Sequence, residues 1–308
     1  MQYMGSKNRY AKYIVPIIQK YINDNNITKY LEPFVGGANI IDKIQRNKKI
    51  GCDSNEYLIA LLKHMQDNVS DIPDSIYKKD YDEVKNNKNK YPLWYQGLIG
   101  FCSFGNKMWG GYAKNNSQDV TGERTKSYFK GIKNQAPKLK DIIFVTKKFQ
   151  KIPVDKIKNY VIYCDPPYRD TTTYKASPFP YEEYYNWVRD LSKDNIVLCS
   201  EYWMPDDFEC IWSKETTTQI DSNRKAGDEK NVRVEKLFKW RGWLNMVNKE
   251  EWKNFYKHNP SIFLEMFYGI KLYPYQKLLF RTIYKCDTLK TINKYFAIIE
   301  QLKNKEVD

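Results

Sequence analysis

Histidine is scarce in this chain, whose 308 residues include only His64 and His258. Six cysteines are scattered along the sequence, and no two of them have Cys-x-x-Cys spacing. This shortage argues against a zinc site and against hydrolases that depend on a Ser/His or Cys/His pair. We therefore expect no metal. Buried free thiols are the better interpretation of the cysteines, and they favour a reducing cytoplasm.

Long apolar runs and excess acidic charge are also missing. The sequence contains no secretory leader and no apolar stretch of about eighteen residues, so we expect no membrane segment. Lysine and arginine number 51 against 37 acidic residues, which gives a net charge of +14 and a pI near 9.2. Such a charge favours a polyanionic partner. An A/T-rich genome also enriches Lys, Asn, Ile and Tyr, so the charge permits a nucleic-acid partner without establishing one.

A short motif follows the apolar run at residues 160–164. The run predicts a buried strand of a parallel sheet. Asp165, Pro166, Pro167 and Tyr168 come next and end the strand, because proline lacks the N–H that the ladder needs. Since open α/β sheets bind ligands at the carboxyl ends of their strands, we expect these four residues to form a rigid, half-exposed shelf. An ordinary turn is the alternative interpretation.

The residue types in this motif suit a flat base that carries an amino group. The lone pair of such a nitrogen is conjugated with the ring, which makes it a poor nucleophile. Acceptors at Asp165 and at the Pro166 carbonyl would turn the lone pair toward an electrophile, and Tyr168 would stack on the base, a contact worth about 1–3 kcal/mol. A base within a duplex is out of reach, so the target would have to be flipped out.

A glycine pair follows a second predicted strand near the start of the chain. Residues 30–39 read as a short strand, a Gly36-Gly37 loop and then a helical pattern over about 40–46. Residues 50–53 read as another strand that ends in Asp53, an acid placed to bind ribose hydroxyls. Asp53 and Asn55 also suit the N-cap of the helix predicted over 57–68, and this role is compatible with ribose binding by Asp53.

Four motifs in this order resemble the Dam-like family of DNA adenine-N6 methyltransferases. They are Tyr-Met-Gly-Ser-Lys at residues 3–7, Glu-Pro-Phe-Val-Gly-Gly at 32–37, Asp53, and Asp-Pro-Pro-Tyr at 165–168. The resemblance covers roughly residues 1–240. It implies S-adenosylmethionine as methyl donor, bound by Tyr3, Lys7, Phe34, Gly36, Asp53 and Asp165. It also implies a catalytic base site formed by Asp165, Pro166, Pro167 and Tyr168.

The resemblance further implies a domain plan. We predict an α/β, Rossmann-like, mostly parallel methyltransferase sheet made by residues 1–69 and 141–244, with an inserted target-recognition region at 70–140. Residues 245–308 are predicted to form a helical accessory tail that packs on the core or holds DNA or a protein partner.

Candidate DNA-binding residues lie within the inserted region. Lys107 and Trp109 belong to a segment rich in glycine and aromatic residues that would wedge into DNA or stack on bases. Arg124 and Lys126 lie in a predicted loop at 121–126, where Arg124 is a candidate base reader. Core packing and a solvated surface loop are the respective alternatives.

The sequence therefore predicts a cytoplasmic, site-specific methyltransferase that acts on adenine N6 in double-stranded DNA. One alternative is a cytosine-N4 methyltransferase on the same fold, because that amino group suits the same shelf. The other is a non-catalytic DNA-binding protein that keeps the fold. The recognition sequence and the oligomeric state cannot be inferred from these residues.

Overall fold

A computed structural model describes most of the first 242 residues. The described residues are 1–46, 48–103, 107–112, 122–169, 179–217 and 232–242, together with Ser261, Leu264, Leu272, Tyr273 and Gln276. The chain divides into two compact units, Met1–Trp240 and Arg241–Asp308. Because only five residues after residue 242 are described, the prediction of helices over 245–308 falls almost wholly outside the described residues. No helix in the described part is both long and apolar enough to cross a bilayer.

The first unit alternates helices with the strands of a single sheet. Its helices are α1 (Ala11–Asp24), α2 (Glu56–Asp67), α3 (Lys78–Asn86), α4 (Leu93–Phe101), α5 (Glu123–Gln135) and α6 (Tyr181–Leu191). Its strands are β1 (Lys29–Glu32), β2 (Lys48–Asp53), β3 (Ile142–Thr146), β4 (Tyr160–Cys164), β5 (Ile196–Glu201), β6 (Phe208–Thr217) and β7 (Val232–Trp240).

The seven strands form one mixed sheet in the order β3-β2-β1-β4-β5-β7-β6. The first five in this order pair in parallel, β7 runs antiparallel to β5, and β6 runs antiparallel to β7. This is the predicted Rossmann-like, mostly parallel α/β arrangement. The strand order reverses between β1 and β4, which is where open sheets of this kind bind their ligands.

Local sequence explains the elements that frame this reversal point. Every residue of β4 is buried, as the apolar run predicted. Helix α1 buries Ile14, Ile18 and Ile22, whose spacing of four places them on one face. Helix α2 begins after Asn55, whose side chain accepts a hydrogen bond from the Leu58 N–H at 3.1 Å. Asn55, and not Asp53, is therefore the N-cap residue of α2.

The predicted helix over residues 40–46 is wrong. Only a single 3-10 turn forms there, at Ile41–Lys43. The chain then leaves the helical conformation because long-range partners hold it: the Gln45 N–H donates to Gln19 Oε1 at 3.1 Å, and Arg46 Nε donates to the Ile27 carbonyl at 2.9 Å. These tertiary hydrogen bonds override a local apolar pattern.

The predicted loop over residues 121–126 is also wrong from Glu123 onward, where α5 begins. Gly122 has a φ of +78°, and a Cβ at this position would lie 2.6 Å from the Ile76 carbonyl oxygen. Thr125 Oγ1 donates to the Gly122 carbonyl at 2.6 Å and accepts from the Ile76 N–H at 3.1 Å. Glycine is therefore required for the close approach that starts the helix.

Candidate active site

Acidic residues collect at the carboxyl edge of the parallel strands. Glu32, Asp53 and Glu201 are the last residues of β1, β2 and β5, and Asp165 directly follows β4. Because parallel strands end on the same edge of the sheet, four carboxyl groups lie around the point where the strand order reverses.

The first cluster at this edge is the glycine-loop group, which comprises Tyr3, Gly36, Gly37 and Asp53. The Gly36 N–H donates to Asp53 Oδ2 at 3.2 Å, and the Asn55 N–H donates to Asp53 Oδ1 at 2.9 Å. A Cβ on Gly36 would lie 3.3 Å from Tyr3 Cε1, so the tyrosine ring packs directly on the loop. Burial raises the pKa of Asp53, and the backbone N–H groups oppose this rise.

A buried glutamine attaches the glycine loop to α5. Gln135 Nε2 donates to the carbonyl oxygens of Gly37 and Ala38, both at 3.0 Å, and to Asp42 Oδ2 at 3.1 Å. Gln135 is the last residue of α5, so the predicted target-recognition segment is tied to the loop by side-chain hydrogen bonds.

The second cluster is the lysine group, which comprises Lys7, Asp165, Tyr168 and Glu235. Lys7 Nζ lies 3.0 Å from Asp165 Oδ1, 3.6 Å from Glu235 Oε1 and 4.1 Å from the centre of the Tyr168 ring. The Tyr168 hydroxyl donates to Glu235 Oε1. A single ammonium group thus joins the start of the chain, the 165–168 segment and β7.

Burial and charge set the protonation states in the lysine group. Burial raises the pKa of Asp165 to about 6, Lys7 opposes the rise, and Glu235 adds to it. Burial alone would lower the pKa of Lys7, but the two carboxylates outweigh it and the pKa is raised. At neutral pH Lys7 is therefore a cation and Asp165 is mainly ionised. The Asp165 side chain keeps 18% of its surface exposed, against 9% for Lys7.

The 165–168 segment is less exposed than the half-open shelf that the sequence predicted. Pro166 and Tyr168 are buried, because Lys7 lies over the tyrosine ring and Tyr202 meets it edge-on at 4.7 Å. The Tyr181 hydroxyl donates to the Pro167 carbonyl at 3.0 Å. The segment is thus fixed from several sides, as the two prolines suggested.

Glu201 anchors the chain that leaves this segment. Its Oε1 accepts from the Arg169 N–H at 2.7 Å, and its Oε2 accepts from the Tyr202 N–H at 3.1 Å. Burial raises the pKa of Glu201 to about 7, while these backbone donors oppose the rise. The side chain holds the backbone on both sides of the site in place.

The predicted site residues fall into separate places. Tyr3 packs on Gly36, whose N–H donates to Asp53, and Lys7 contacts Asp165 and Tyr168. Phe34 lies in an aromatic cluster, with ring centres 5.6–5.9 Å from those of Phe149, Phe179 and Tyr184, and its role in cofactor binding stays a prediction.

The predicted DNA-binding residues lie on the α3–α5 part of the unit. Lys107 and Lys126 are exposed, and Arg124 lies in the first turn of α5. Trp109 is half-buried: its ring packs on Gly100 and lies 5.6 Å from that of Tyr81, and the Lys88 ammonium sits 5.2 Å above it. A role of these four residues in DNA binding stays a prediction.

Sequence reasoning missed Glu235 as a member of the lysine group. The available signal was alternation along β7, where Glu235 and Leu237 are buried while Lys236 between them is half-buried. An acid on the inward face of a strand needs a buried partner. Nothing in the local sequence identifies Lys7 as that partner.

No group of three or more metal-ligating side chains that could hold an ion occurs among the residues that the structure describes. The chemistry available at this edge is hydrogen bonding by backbone and carboxylate groups, one buried cation and aromatic packing. Such a set can bind a polar, partly aromatic molecule beside an ionised carboxylate.

Comparison with known proteins agrees with these features. The chain is 26% identical over 197 residues to the type II methyltransferase M.FokI of Planomicrobium okeanokoites, a match that covers 56% of this chain and 29% of that protein. The chain therefore spans less than a third of the length of that relative. It also resembles the crystal structure of TrmN from Thermus thermophilus, with 10% identity and a TM-score of 0.30 over 73% of this chain and 48% of that one. The fold is defined by the strand order rather than by this likeness.

A family model, described as D12 class N6 adenine-specific DNA methyltransferase, matches residues 3–187, which is more than half of the chain. The matched stretch contains Tyr3, Lys7, the glycine loop, Asp53 and the 165–168 segment. It ends before β5, so Glu201 and Glu235 lie outside it. On this match the chain belongs to the D12 class of N6 adenine-specific DNA methyltransferases.

Proposed function

We propose that this chain transfers a methyl group from S-adenosylmethionine to N6 of an adenine that is flipped out of double-stranded DNA. The observation that carries the proposal is the lysine group. There an ionised carboxylate, Asp165, lies at the reversal point of the sheet, 3.0 Å from the Lys7 ammonium and close to the Tyr168 ring. Family membership supplies the class of reaction.

The glycine-loop group fits the methyl donor. A carboxylate has about four acceptor positions, and the Gly36 and Asn55 N–H groups each donate to one oxygen of the Asp53 carboxylate. Acceptor capacity is left for a ribose hydroxyl. Gly36 allows a ligand to approach the backbone closely, and the Tyr3 ring borders the loop. When bound, S-adenosylmethionine supplies a methyl group on a positively charged sulfur.

The lysine group fits the acceptor base. The Pro167 carbonyl already accepts a hydrogen bond from the Tyr181 hydroxyl, and we assign Asp165 and the Pro166 carbonyl as the acceptors for the amino group. Hydrogen bonds to both would turn the nitrogen lone pair away from the ring. The amino nitrogen must lose a proton after methylation. Asp165, with a pKa of about 6, is ionised at neutral pH and can accept it, whereas Lys7 is already protonated.

The remaining assignments complete the proposal. Extruding an adenine costs a few kcal/mol, and Tyr168 would offset part of this by contact with the base. We assign target recognition to residues 70–140, including Lys107, Trp109, Arg124 and Lys126, and an accessory role to residues 245–308. Of the five described cysteines all are free thiols and four are buried, which is consistent with a reducing cytoplasm.

The test is expression in a host that lacks DNA methylation, followed by mass spectrometry of the nucleosides. We expect N6-methyladenine from the wild type and a loss of about 100-fold or more in rate for Asp165→Ala. Cys210→Ser, a change at an exposed thiol, is the matched control and should methylate normally. N4-methylcytosine without N6-methyladenine would replace the proposal with a cytosine-specific activity.

Calorimetry separates catalysis from simple DNA binding. The purified chain should release or absorb heat on titration with S-adenosylmethionine, and Asp53→Ala should bind it more weakly. A folded chain that binds DNA but shows no interaction with the methyl donor would be a DNA-binding protein that has kept only the fold.

A further inference from the structure

A cluster of aromatic and cationic side chains lies where α1 meets the antiparallel end of the sheet. The Tyr13 ring of α1 stacks on the Trp212 ring of β6, with centres 5.9 Å apart and planes 28° apart. Lys214 Nζ lies 4.4 Å from the centre of the Tyr13 ring, and Lys12 Nζ lies 5.1 Å from it. Two cations therefore share one aromatic ring.

The cations of this cluster form no ion pair within the described residues. No described carboxylate lies within 4.0 Å of Lys12, Lys214 or Arg9, an exposed residue just before α1. Hydrogen-bonding contacts from Lys214 and Lys12 lower the pKa of the Tyr13 phenol. Like charges gathered around one ring repel each other, so an anion placed between them would be favoured.

The cluster borders the lysine group. In the β6–β7 pair Lys214 lies directly opposite Glu235, and directly opposed side chains project on the same face, about 5 Å apart. Glu235 in turn contacts Lys7 and Tyr168. On the other side, the 3-10 turn Lys7–Arg9 connects Lys7 to the start of α1. Both chain segments of the cluster thus adjoin the lysine group.

We propose that Arg9, Lys12, Tyr13, Trp212 and Lys214 bind the DNA backbone next to the extruded nucleotide. This inference rests on the proposed function, and it names a surface separate from residues 70–140. Ammonium groups are compact point charges that suit phosphate oxygens. The Tyr13 ring holds the ammonium groups of Lys12 and Lys214 close to it, so their charges are already gathered before DNA arrives.

A second lysine on the same side of the sheet provides a matched control. Lys239 Nζ lies 5.4 Å from the ring centre of Tyr21, in an arrangement similar to that of Lys214 over Tyr13. Lys239 is opposite Glu209 in the β6–β7 register, as Lys214 is opposite Glu235, but it lies over Tyr21 and not over the Tyr13 ring of the cluster. Lys239→Gln removes one positive charge, as Lys214→Gln alone does, without changing the proposed surface.

The experiment measures binding of a short fluorescein-labelled DNA duplex by anisotropy between about 50 and 200 mM KCl. Each phosphate contact adds about 0.9 to the slope of log affinity against log salt. The double variant Lys12→Gln, Lys214→Gln should therefore lower the steepness of the slope by about two. Lys239→Gln should leave it unchanged, and Lys12→Arg with Lys214→Arg should preserve it because the charges remain.

The outcomes distinguish a failure of this surface from a failure of the proposed function. Calorimetric binding of S-adenosylmethionine should be equal in all variants, which verifies that they are folded. If the wild type binds and methylates DNA but the double Gln variant keeps the wild-type slope, this surface is wrong and the proposed function stands. If the folded wild type neither binds nor methylates DNA, both are overturned.

Discussion

The glycine-loop group and the lysine group lie at the same sheet edge but are held by different interactions. Asp53 is fixed by backbone N–H groups from its own loop and from the neighbouring strand–loop unit. Asp165 is fixed by an ammonium group from the start of the chain, with Glu235 of β7 as the third charge. The first group is made by local backbone geometry, and the second by long-range electrostatics. We therefore expect the second to be far more sensitive to pH and to loss of a single charge.

Loss of the Lys7 charge should have the largest effect. Lys7→Met leaves Asp165 and Glu235 without their buried counter-ion, which should lower the free energy of unfolding by about 3–5 kcal/mol. Because Lys7 lowers the pKa of Asp165, its loss should also raise that pKa further and reduce methylation at neutral pH. Urea unfolding and a methylation assay measure the two effects.

An exposed ion pair supplies the control for Lys7. Lys20 pairs with Asp24 on the surface of α1, and Lys20→Met should lower the free energy of unfolding far less than Lys7→Met does. Equal stability losses in the two variants would show that the lysine group is not held by buried charge.

Disruption of the glycine-loop group should have an intermediate effect. Asp53→Ala removes the acceptors for the Gly36 and Asn55 N–H groups, at a cost of about 1–2 kcal/mol in stability. The KM for S-adenosylmethionine should rise about tenfold while kcat changes little, since the lysine group is intact. Asn55→Ala removes only the α2 cap and should cost about 1 kcal/mol without altering KM. A fall in kcat alone for Asp53→Ala would contradict this division of roles.

Gln135 tests whether the glycine-loop group is wholly local. Gln135→Ala leaves the buried carbonyls of Gly37 and Ala38 without this donor, which should cost about 1–3 kcal/mol. We expect KM for S-adenosylmethionine to rise a few-fold, because α5 no longer supports the loop. Lys133 lies two residues before Gln135 in α5 and forms an ion pair with the exposed Asp74. Lys133→Ala removes this ion pair and should leave KM unchanged. Steady-state kinetics at a fixed DNA concentration measure KM for both variants. An equal rise in KM would contradict this role of Gln135.

Sequence reasoning predicted the local parts of this site better than the long-range parts. Strands β1, β2 and β4 and the cap at Asn55 follow from runs of residues that are adjacent in the chain. Glu235 and Gln135 were missed because their partners lie far away: Gln135 is 98 residues from Gly37, and Glu235 is 67 residues from Tyr168. A pattern read along the chain carries no information on such pairs.

The two wrong local predictions have the same cause. Ile40, Ile41 and Ile44 are all buried, but side-chain hydrogen bonds from distant residues end the helix early. At residues 121–126 the polar composition suggested a loop, whereas the contact of Gly122 with Ile76 starts α5. Tertiary contacts decided both segments, as they do when local preference is weak.

The smallest effect expected is a pH shift in Glu235→Gln. Glutamine keeps an acceptor for Tyr168 but removes a charge that raises the pKa of Asp165, so the pKa should fall. The acid limb of the kcat/KM profile, expected near pH 6 in the wild type, should move to lower pH with little change at pH 7.5 and above. Lys7→Met should move the acid limb to higher pH, so the two variants should shift it in opposite directions.

The same titration predicts how stability responds to acid. The folded-state pKa of Asp165, about 6, lies above its ordinary value of 3.8, so between these values the folded protein binds more protons than the unfolded chain. The contribution of Asp165 to stability therefore improves as pH falls from about 6 to about 4 and worsens as pH rises through that window. Glu235→Gln should narrow this window, because it brings the two pKa values closer. Urea unfolding at about pH 4.5, 5.5 and 6.5, values that cover this window, would measure the free energy of unfolding of both proteins. If the difference in this free energy between the variant and the wild type is the same at all three pH values, Glu235 does not control the pKa of Asp165.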